Sequence, residues 1–526
     1  MFIFILLFST SVHAILTAPN GCSLVDKGWY KPNENQWYFT CSAANLTEAL
    51  EFVSSINKRI DYIIIDACNP VISRLEQLPE LDVWNLKITN CGIEEIADDA
   101  FVNTSPIGEL DLSNNSITKI PKLGFLVDRV QYLNLDHNKI SYIPDDAFKK
   151  ENVTDYMMEY LHLEYNNITE LHSSAFEGLS VRSIYLGNNR ITHISPNAFE
   201  HCKAENLYLH DNKIAELKTG TFSHLKDLRT LDMSNNLLHE LPPTIFSSLK
   251  KLKSILLLSN NLKKLPSVIF SGLSRLEYIS LSENKLTELS DDIFHGLESI
   301  EEINLSNNQL KYLSPNIFRN LSVLHYLRMD NNQLKQLSPG IFDDLRKLEV
   351  LDLHNNLVKD LPSNIFYNLN ELRALDLNNN KLDKVQVDLF PPSFVNLVEL
   401  HLQGNRLTQL PKRLFSNLRS LWIVDLKGNY LTALPRNCFE GLSMGKTKAE
   451  LDAEGLRFDF KVFLSGNPLT CDDQMTWLLD WMKIDYVTIS PDDGHPEEDT
   501  PICVAPPQFA GSSLKSIVLK SLAKIK

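Results

Sequence analysis

The sequence predicts an α/β repeat fold, a solenoid in which every turn adds one short strand to a parallel sheet. Three observations support this prediction: a repeat of 24 residues, an alternation of apolar residues within each repeat, and cysteines near both ends of the repeats. A chain of 526 residues would otherwise suggest several compact domains, because one hydrophobic core stops growing well below this length. The repeat therefore decides the domain organisation.

The repeat is clearest between residues 276 and 371. LEYISLSENKLTELSDDIFHGLES is followed there by IEEINLSNNQLKYLSPNIFRNLSV, LHYLRMDNNQLKQLSPGIFDDLRK and LEVLDLHNNLVKDLPSNIFYNLNE. Each copy has apolar residues at positions 1, 4, 6 and 11, Asn at position 9 and Phe near position 19. The same frame extends from about Ile60 to Pro468, which corresponds to roughly 17 turns.

Each repeat begins with the pattern of a short strand that has one buried face. Positions 4 and 6 are apolar and point inward, while position 5 points outward. The rest of each repeat has a constant length and brings the chain back, so that each strand lies beside the preceding one. Side chains at positions 2, 3, 5, 7 and 8 then face the side on which a partner would bind. The Asn at position 9, as in Asn236 and Asn308, is expected to be structural, because a buried amide can both donate to and accept from the turning backbone.

These residues resemble the typical class of the extracellular leucine-rich repeat family, and the resemblance covers most of the chain. It implies a right-handed solenoid, or horseshoe, whose concave side is a parallel β-sheet and whose ends are closed by disulfide-bonded caps. Caps are needed because the terminal turns would otherwise expose their apolar faces. The resemblance also implies a protein that binds partners. Because the sequence carries no catalytic or cofactor-binding motif, neither enzymatic activity nor a cofactor is expected.

The predicted domains are a signal peptide (1–14), an N-terminal cap (15–59), the repeats (60–465, with an insertion at 443–459) and a C-terminal cap with a basic tail (466–526). MFIFILLFSTSVHA is too short to span a bilayer and ends in the small residues that a signal peptidase recognises, with a buried N-terminal strand as the alternative. No transmembrane span is expected later in the chain. The tail, Lys515 to Lys526, is expected to close the cap, or alternatively to contact an anionic membrane or glycosaminoglycan.

Two cysteines lie within the repeats at a spacing that predicts a disulfide. Cys68 and Cys91 occupy position 9 of successive turns, where Asn would otherwise stand. Neighbouring strands lie about 5 Å apart, and disulfides join α-carbons separated by about 4.4 to 6.8 Å. We therefore predict a Cys68–Cys91 disulfide, with two buried free thiols as the alternative.

The family resemblance assigns the cysteines of the two ends. Cys22 and Cys41 resemble a reduced N-terminal cap with one disulfide. Cys471 and Cys503 resemble the C-terminal cap of the family, in which Asp473 stands where a further cysteine is usual, and they are expected to pair. Six bridged cysteines fit an oxidising compartment. The remaining two take apolar positions in distant turns and are expected to be buried free thiols: Cys202 and Cys438.

Composition and motifs argue against nucleic-acid binding and catalysis. A net charge of -15 and a pI near 5.4 leave no basic footprint for nucleic acid. No HExxH, GxSxG or Cys-x-x-Cys motif occurs, so neither a catalytic nor a metal site is expected. Several histidines are spread over separate turns: His137, His162, His210, His325, His354 and His401. Gly441 to Thr447 is one residue short of a phosphate-binding loop, and Pro491 to Thr500 lacks the ligand spacing of a calcium loop.

The outward positions predict where a partner binds. Tyrosine gives a large amphipathic contact with few rotatable bonds and is enriched among binding hot spots, although aromatic rings can also simply pack across neighbouring strands. A second, weaker patch is expected further along the chain. The preferred site comprises Tyr132, Tyr160, His162, Tyr165, Tyr185, Tyr208 and His210, and the second patch Tyr278, His325, Tyr326 and Arg328.

Several N-glycosylation sequons qualify this prediction. Asn304 is at position 5 of its repeat, so a glycan there would stand on the strand face between the two tyrosine-containing patches and exclude a protein from that stretch. Recognition is then expected N-terminal of the tenth turn, on the tyrosine patch, or on an edge, whereas an unmodified Asn304 would remove this restriction. Sequons begin at Asn45, Asn103, Asn114, Asn152, Asn167, Asn304 and Asn320.

Together these features predict a secreted extracellular glycoprotein that binds a protein or glycan ligand, in a role such as innate immunity or cell adhesion. The choice among such roles rests on resemblance, because a fold does not set a function. One alternative is a non-catalytic carrier of an extracellular enzyme, as the similar regulatory subunit of carboxypeptidase N is. A less favoured alternative is an enzyme in its own right. Homodimerisation through the concave face or an edge stays open, whereas no heptad run indicates a coiled coil.

Overall fold

The computed structural model describes residues 18–26, 36–56, 58–123, 129–145, 147–149, 157–435, 437–439, 460–472, 477, 487–489, 501–514 and 516–517. Several sequence predictions fall outside these residues. They are the signal peptide, the sequon at Asn152, the segment Gly441 to Thr447, the insertion at 443–459, the acidic loop Pro491 to Thr500, and the basic tail apart from Ser516 and Ile517.

Short strands dominate the described residues, and helix α1 (Leu46–Ser55) follows the second strand. The strands in chain order are β1 (Cys22–Asp26), β2 (Trp37–Ala44), β3 (Ile60–Cys68), β4 (Arg74–Leu75), β5 (Val83–Thr89), β6 (Glu95–Ile96), β7 (Glu109–Asp111), β8 (Tyr132–Asn134), β9 (Met158–His162), β10 (Glu170–Leu171), β11 (Ser180–Tyr185), β12 (His193–Ile194), β13 (Lys203–Tyr208), β14 (Thr230–Asp232), β15 (Ser254–Leu256), β16 (Tyr278–Ser280), β17 (Glu302–Asn304), β18 (Tyr326–Arg328), β19 (Val350–Asp352), β20 (Ala374–Asp376), β21 (Glu399–His401), β22 (Ile423–Asp425), β23 (Phe460–Phe463), β24 (Leu469–Thr470), β25 (Val487–Ile489) and β26 (Cys503–Ala505).

The chain forms two compact units. Unit 1 comprises Met1–Ile191 and Asn197–Ala204, and unit 2 comprises Thr192–Pro196 and Glu205–Lys526. Each unit is a parallel β-solenoid, and the structure has about 16 turns, close to the number that the repeat predicts.

The sheets are parallel from turn to turn. In unit 1, β1 runs antiparallel to β2, after which β2, β3, β5, β7, β8, β9 and β11 pair in parallel. In unit 2, β14 to β23 pair in parallel in chain order. Ile279 is in register with Ile303, and Ile303 with Leu327. Equivalent positions of neighbouring repeats therefore form columns.

The division into inner and outer side chains is confirmed. Leu305, at position 6, is 0% exposed, and Ile303, at position 4, is equally buried. Asn304 lies between them and is half-buried on the outer face. The period of a strand with one buried face therefore holds in this repeat, as the alternation predicts.

Phenylalanines at position 19 form a second column inside unit 2. Successive rings stack with centroids 6.2 to 6.5 Å apart and interplanar angles of 4 to 17°. All of these rings are almost fully buried, so each fills the space between two neighbouring turns. The column comprises Phe222, Phe246, Phe270, Phe294, Phe318, Phe342 and Phe366.

The asparagines at position 9 have the structural role that the sequence predicts. The Asn308 side-chain amide donates to the carbonyl oxygens of Leu281, Leu305 and Ser306 at 2.9, 3.1 and 3.2 Å. Its Oδ1 accepts from the backbone N–H of Leu286 at 3.0 Å. A buried amide thus satisfies backbone groups of two turns, which is why Asn is required there.

Disulfides close the structure near both ends, in the pairs that the sequence predicts. Cys22 is bonded to Cys41, and Cys68 to Cys91. Cys471 is bonded to Cys503. At the N-terminal end, Asn45 Oδ1 accepts from the backbone N–H of Glu48 at 3.3 Å and caps helix α1, which satisfies one of the unpaired donors of the first helical turn.

Two cysteines are free, and their chemistry leads to a prediction. Cys202 and Cys438 are both buried, and burial raises the pKa of the Cys202 thiol to about 12. Because the thiolate is the reactive form, we expect iodoacetamide at pH 8 to leave Cys202 of the native protein unmodified. Unreduced protein in urea should gain two labels, as measured by intact mass and peptide mapping. Rapid labelling of native Cys202 would contradict the buried position.

Within the described part of the chain, no helix has the length and apolar character needed to cross a membrane.

Candidate partner-binding site

Four aromatic side chains of unit 1 form one continuous group on the outer face of the sheet. Tyr132 and Tyr160 have ring centroids 5.1 Å apart, and Tyr160 and Tyr185 are 6.2 Å apart. His162 stacks on Tyr185 at 4.4 Å with an interplanar angle of 7°, and lies 6.1 Å from Tyr160. We call Tyr132, Tyr160, His162 and Tyr185 the aromatic cluster.

The register of three strands explains why these rings meet. Tyr132 on β8 is opposite Tyr160 on β9, which puts position 3 of two repeats side by side. His162 on β9 is opposite Tyr185 on β11, which does the same for position 5. Residues in register on adjacent strands are about 5 Å apart, close enough for their aromatic side chains to touch. The repeat therefore converts separate tyrosines into one surface.

The cluster is exposed enough to contact another molecule. The Tyr132 side chain is 39% exposed, while Tyr160, His162 and Tyr185 are half-buried. Each ring is therefore held by its neighbours and still accessible to solvent.

Charged groups surround the cluster. His162 Nδ1 lies 3.5 Å from Asp136 Oδ2, and Asp136 Oδ1 accepts from the Glu164 backbone N–H at 2.6 Å. Arg182 forms an ion pair with Glu159. The site thus combines an apolar aromatic centre with a polar margin, which is the usual composition of a protein-binding patch.

Tyr165 belongs to the same unit but has a different partner. Its ring stacks on His137 with centroids 4.3 Å apart and an interplanar angle of 10°. Both residues are at position 8 and have positive φ, 54° in each case. His137 is exposed and lies in the same outward column as Tyr165, although it is not in the preferred set.

Tyr208 and His210 belong to unit 2 and are described with it. Both are half-buried, and the His210 Nδ1 is 2.9 Å from Asp211 Oδ2. Their outward positions agree with the repeat frame.

The second predicted patch is not a continuous aromatic surface. Glu302 is opposite both Tyr278 and Tyr326, on the two neighbouring strands, and it forms an ion pair with Arg328. His325 contacts Tyr326 at a centroid distance of 6.4 Å. This patch therefore consists of two tyrosines separated by an ion pair, and it offers less apolar contact than the aromatic cluster.

The sequon at Asn304 lies on the outer face of unit 2, opposite Ser280 and Arg328 on the two neighbouring strands. It therefore lies within the second patch, and its predicted place between the two patches is wrong. Asn304 Oδ1 accepts from the Ser306 backbone N–H at 3.0 Å, and the Ser306 hydroxyl donates to Asp330. The Asn304 amide nitrogen, to which a glycan would be attached, is on a half-buried strand residue. The other described sequon asparagines are Asn103, Asn114 and Asn320, which are exposed, and Asn45 and Asn167, which are half-buried.

Two groups of histidine and carboxylate side chains were not found from the sequence. Asp136, His162 and Glu164 in unit 1, and Asp330, Asp352 and His354 in unit 2, each place one donor atom per residue within 4.8 Å of the others. Their members come from neighbouring repeats, so no local ligand motif marks them. Aligned Asp and His residues at positions 5 and 7 of neighbouring repeats are the signal that could have found them.

Comparison with known proteins identifies the repeat. The leucine rich repeat family profile matches residues 83–140, 158–204, 202–262, 250–310, 280–334, 301–358, 322–382 and 395–444, which together exceed half of the chain. No curated protein matches the sequence significantly.

Solved structures show the same fold. A leucine-rich repeat protein of Leptospira interrogans is 24% identical, with a TM-score of 0.59, over 77% of this chain and 96% of that chain. A chain in the glycosylated Toll–Spatzle complex of Drosophila is 18% identical, with a TM-score of 0.65, over 96% of this chain and 76% of that chain. With the matching family profile and the aligned columns of the solenoid, these findings show that the chain belongs to the leucine-rich repeat family.

Proposed function

We propose that this protein is an extracellular recognition protein that binds a protein partner through the aromatic cluster and catalyses no reaction. The observation that carries the proposal is the continuous contact of Tyr132, Tyr160, Tyr185 and His162 on an accessible sheet face. Tyrosine is enriched among the residues that supply most of the binding energy of interfaces.

The rings could alternatively be explained as packing across neighbouring strands, but such packing is also compatible with binding. Contacts between the rings restrict their rotamers before a partner arrives, so less side-chain entropy is lost on association. The 39% exposure of Tyr132 leaves apolar ring surface in water, and covering it would add to the affinity. A cluster that is both ordered and accessible therefore suits recognition better than either property alone.

The extracellular location is supported by the disulfides and by the sequence before residue 18. Three disulfides are stable in an oxidising compartment and rare in the cytosol. The apolar segment Met1 to Ala14 adds the expected secretion signal. A glycan on Asn304 would cover the strand face of its own repeat in unit 2 and would leave the aromatic cluster, in unit 1, as the favoured protein-binding surface.

The fold comparison gives weaker support. The similar Drosophila chain was solved in a complex of Toll with Spatzle, so a chain of this fold can take part in a protein complex. At this low sequence identity, neither the partner of the Drosophila protein nor its role in development or innate immunity can be assigned to this chain. For this protein, innate immunity and cell adhesion are the proposed contexts, because related extracellular repeat proteins serve in both.

Affinity capture with the secreted chain as bait tests the proposal. Bait carrying Tyr160→Ala and Tyr185→Ala should bind the captured partner at least about tenfold more weakly than wild type, because hot-spot truncations cost roughly 2 kcal/mol or more. The matched control carries Tyr312→Ala and Tyr367→Ala, two tyrosines that are 50% and 56% exposed and lie at positions 13 and 20, off the strand face. Equal binding by wild type and the cluster variant would refute the site. Stoichiometric recovery of a hydrolase would instead identify the carrier role.

A further inference from the structure

Unit 2 holds a histidine surrounded by carboxylates on the outer face of its sheet. His354 follows β19, at position 7 of its repeat, and Asp352 ends the same strand. Asp330 is at position 7 of the preceding repeat, and Asp376 ends β20 in the following one. Three successive repeats thus place their acidic side chains around one imidazole.

The imidazole is held in a defined orientation. His354 Nδ1 is 2.6 Å from Asp352 Oδ1, so the Nδ1–H donates to that carboxylate. The backbone N–H of His354 also donates to Asp352 Oδ1, at 3.0 Å. A carboxylate on one ring nitrogen fixes the tautomer and leaves a lone pair on the other nitrogen, which is the usual support for a metal-binding histidine.

The second ring nitrogen faces a buried carboxylate across a gap. His354 Nε2 is 3.8 Å from Asp330 Oδ2, too far for a hydrogen bond. The Asn331 side-chain amide lies beside both atoms, 2.6 Å from Asp330 Oδ2 and 3.5 Å from His354 Nε2. Two ligands of one tetrahedral zinc ion, each about 2.1 Å from the metal, lie about 3.4 Å apart. The two atoms are therefore only slightly farther apart than two ligands of one zinc ion. A small shift of either side chain would bring both atoms to ligand distance.

The charge balance of the cluster also favours a cation. Asp330 is 7% exposed, and the charged groups that act on His354 are Asp352, Asp330 and Asp376, all acidic. Asp376 lies 3.9 Å from His354 Nδ1. Three carboxylates therefore face one imidazole, and a divalent cation would offset more of this partly buried negative charge than one imidazole can.

We propose that Asp330 and His354 bind a divalent transition-metal cation, with Asp352 orienting the imidazole through Nδ1–H. One imidazole with carboxylates matches zinc, whereas calcium and magnesium prefer sites made of oxygen alone. The Asn331 amide donates to Asp330 Oδ2 at 2.6 Å, and the cation takes the place of this hydrogen bond.

The second histidine and carboxylate group is a weaker candidate. Asp136, His162 and Glu164 are all half-buried, so no buried carboxylate there requires a counter-charge. The His162 ring is also covered on one face by Tyr185. Zinc binding is therefore assigned to the group around His354.

Zinc titration of the full secreted chain, after removal of metal with a chelator, tests the site. Calorimetry should show one tight equivalent of zinc in wild type, and cobalt should give visible absorption bands of low-coordinate geometry. His354→Ala and Asp330→Asn should each lose that equivalent and those bands, and Asp352→Asn should bind roughly 10 to 100-fold more weakly. His239→Ala, which removes an exposed histidine of the same unit, should bind like wild type.

Three outcomes would overturn the assignment: no zinc binding above that of the buffer, equal zinc binding by wild type and His354→Ala, or loss of the tight equivalent in His162→Ala instead. Circular dichroism and thermal unfolding of the metal-free variants separate loss of ligand from loss of fold. Should Asp330→Asn fail to fold, because Asp330 accepts from Ser306, the comparison of His354→Ala with His239→Ala decides the question alone.

Discussion

Phe294→Ala is expected to lower the free energy of unfolding by about 3 to 5 kcal/mol, which is the usual cost of removing a buried aromatic ring. The Phe294 side chain is 0% exposed and stacks on Phe270 and Phe318 at centroid distances of 6.4 and 6.2 Å. The alanine variant leaves a cavity between two turns that cannot close without shifting both neighbours. Since stability in a solenoid depends on nearest-neighbour interfaces, two interfaces are weakened at once.

Urea unfolding followed by circular dichroism measures this effect. Tyr312→Ala is the matched control, because Tyr312 is an aromatic residue of the next repeat that is 50% exposed and fills no cavity. Its free energy of unfolding should change by less than about 0.5 kcal/mol. A loss below about 1 kcal/mol in Phe294→Ala would mean that the phenylalanine column does not support the fold.

The sequence predicts the repeating part of the fold well, because every repeat places the same residue types in the same environments. Leu305 buried and Asn304 outward, or Asn308 bonded to two turns, follow from one alternation repeated many times. The Cys68–Cys91 disulfide could be predicted for the same reason, since neighbouring turns hold equivalent positions at a known distance. The caps do not repeat, and their pairings depended on family resemblance.

The candidate sites were predicted less completely, because they depend on contacts across strands. Tyr160 and Tyr185 are on adjacent strands but at positions 3 and 5, and only the structure shows that their rings meet. Glu302 lies between Tyr278 and Tyr326 and divides the second predicted patch. Columns of outward side chains would have shown this division, whereas a search within single repeats cannot.

The cluster around His354 illustrates the same limit for chemistry. Metal-ligand motifs in sequences are short, because they place ligands on one helix or loop. In a solenoid, residues one repeat apart are spatial neighbours, so Asp330 and Asp352 approach one histidine although 22 residues separate them. In this fold, sites are found by comparing the outward residues at equivalent positions of successive repeats.

Asn308→Ala is expected to cost about 3 kcal/mol of unfolding free energy, although it removes only a small polar group. The Asn308 Oδ1 accepts from the Leu286 backbone N–H, and its amide donates to the carbonyl oxygens of Leu281, Leu305 and Ser306. Alanine makes none of these bonds. Leaving buried backbone groups unsatisfied costs roughly 1 to 3 kcal/mol each, and water has little access because Asn308 is 6% exposed.

Gln309→Ala is the matched control for this prediction, since Gln309 is the next residue and its side chain is exposed. Its stability should stay within about 0.5 kcal/mol of wild type. Hydrogen exchange adds a local readout, because the Leu286 amide loses its acceptor in Asn308→Ala and should exchange faster than in wild type or Gln309→Ala. If the two variants unfold at the same urea concentration, the hydrogen bonds of Asn308 do not stabilise the contact between turns. The Asn at position 9 would then need another explanation.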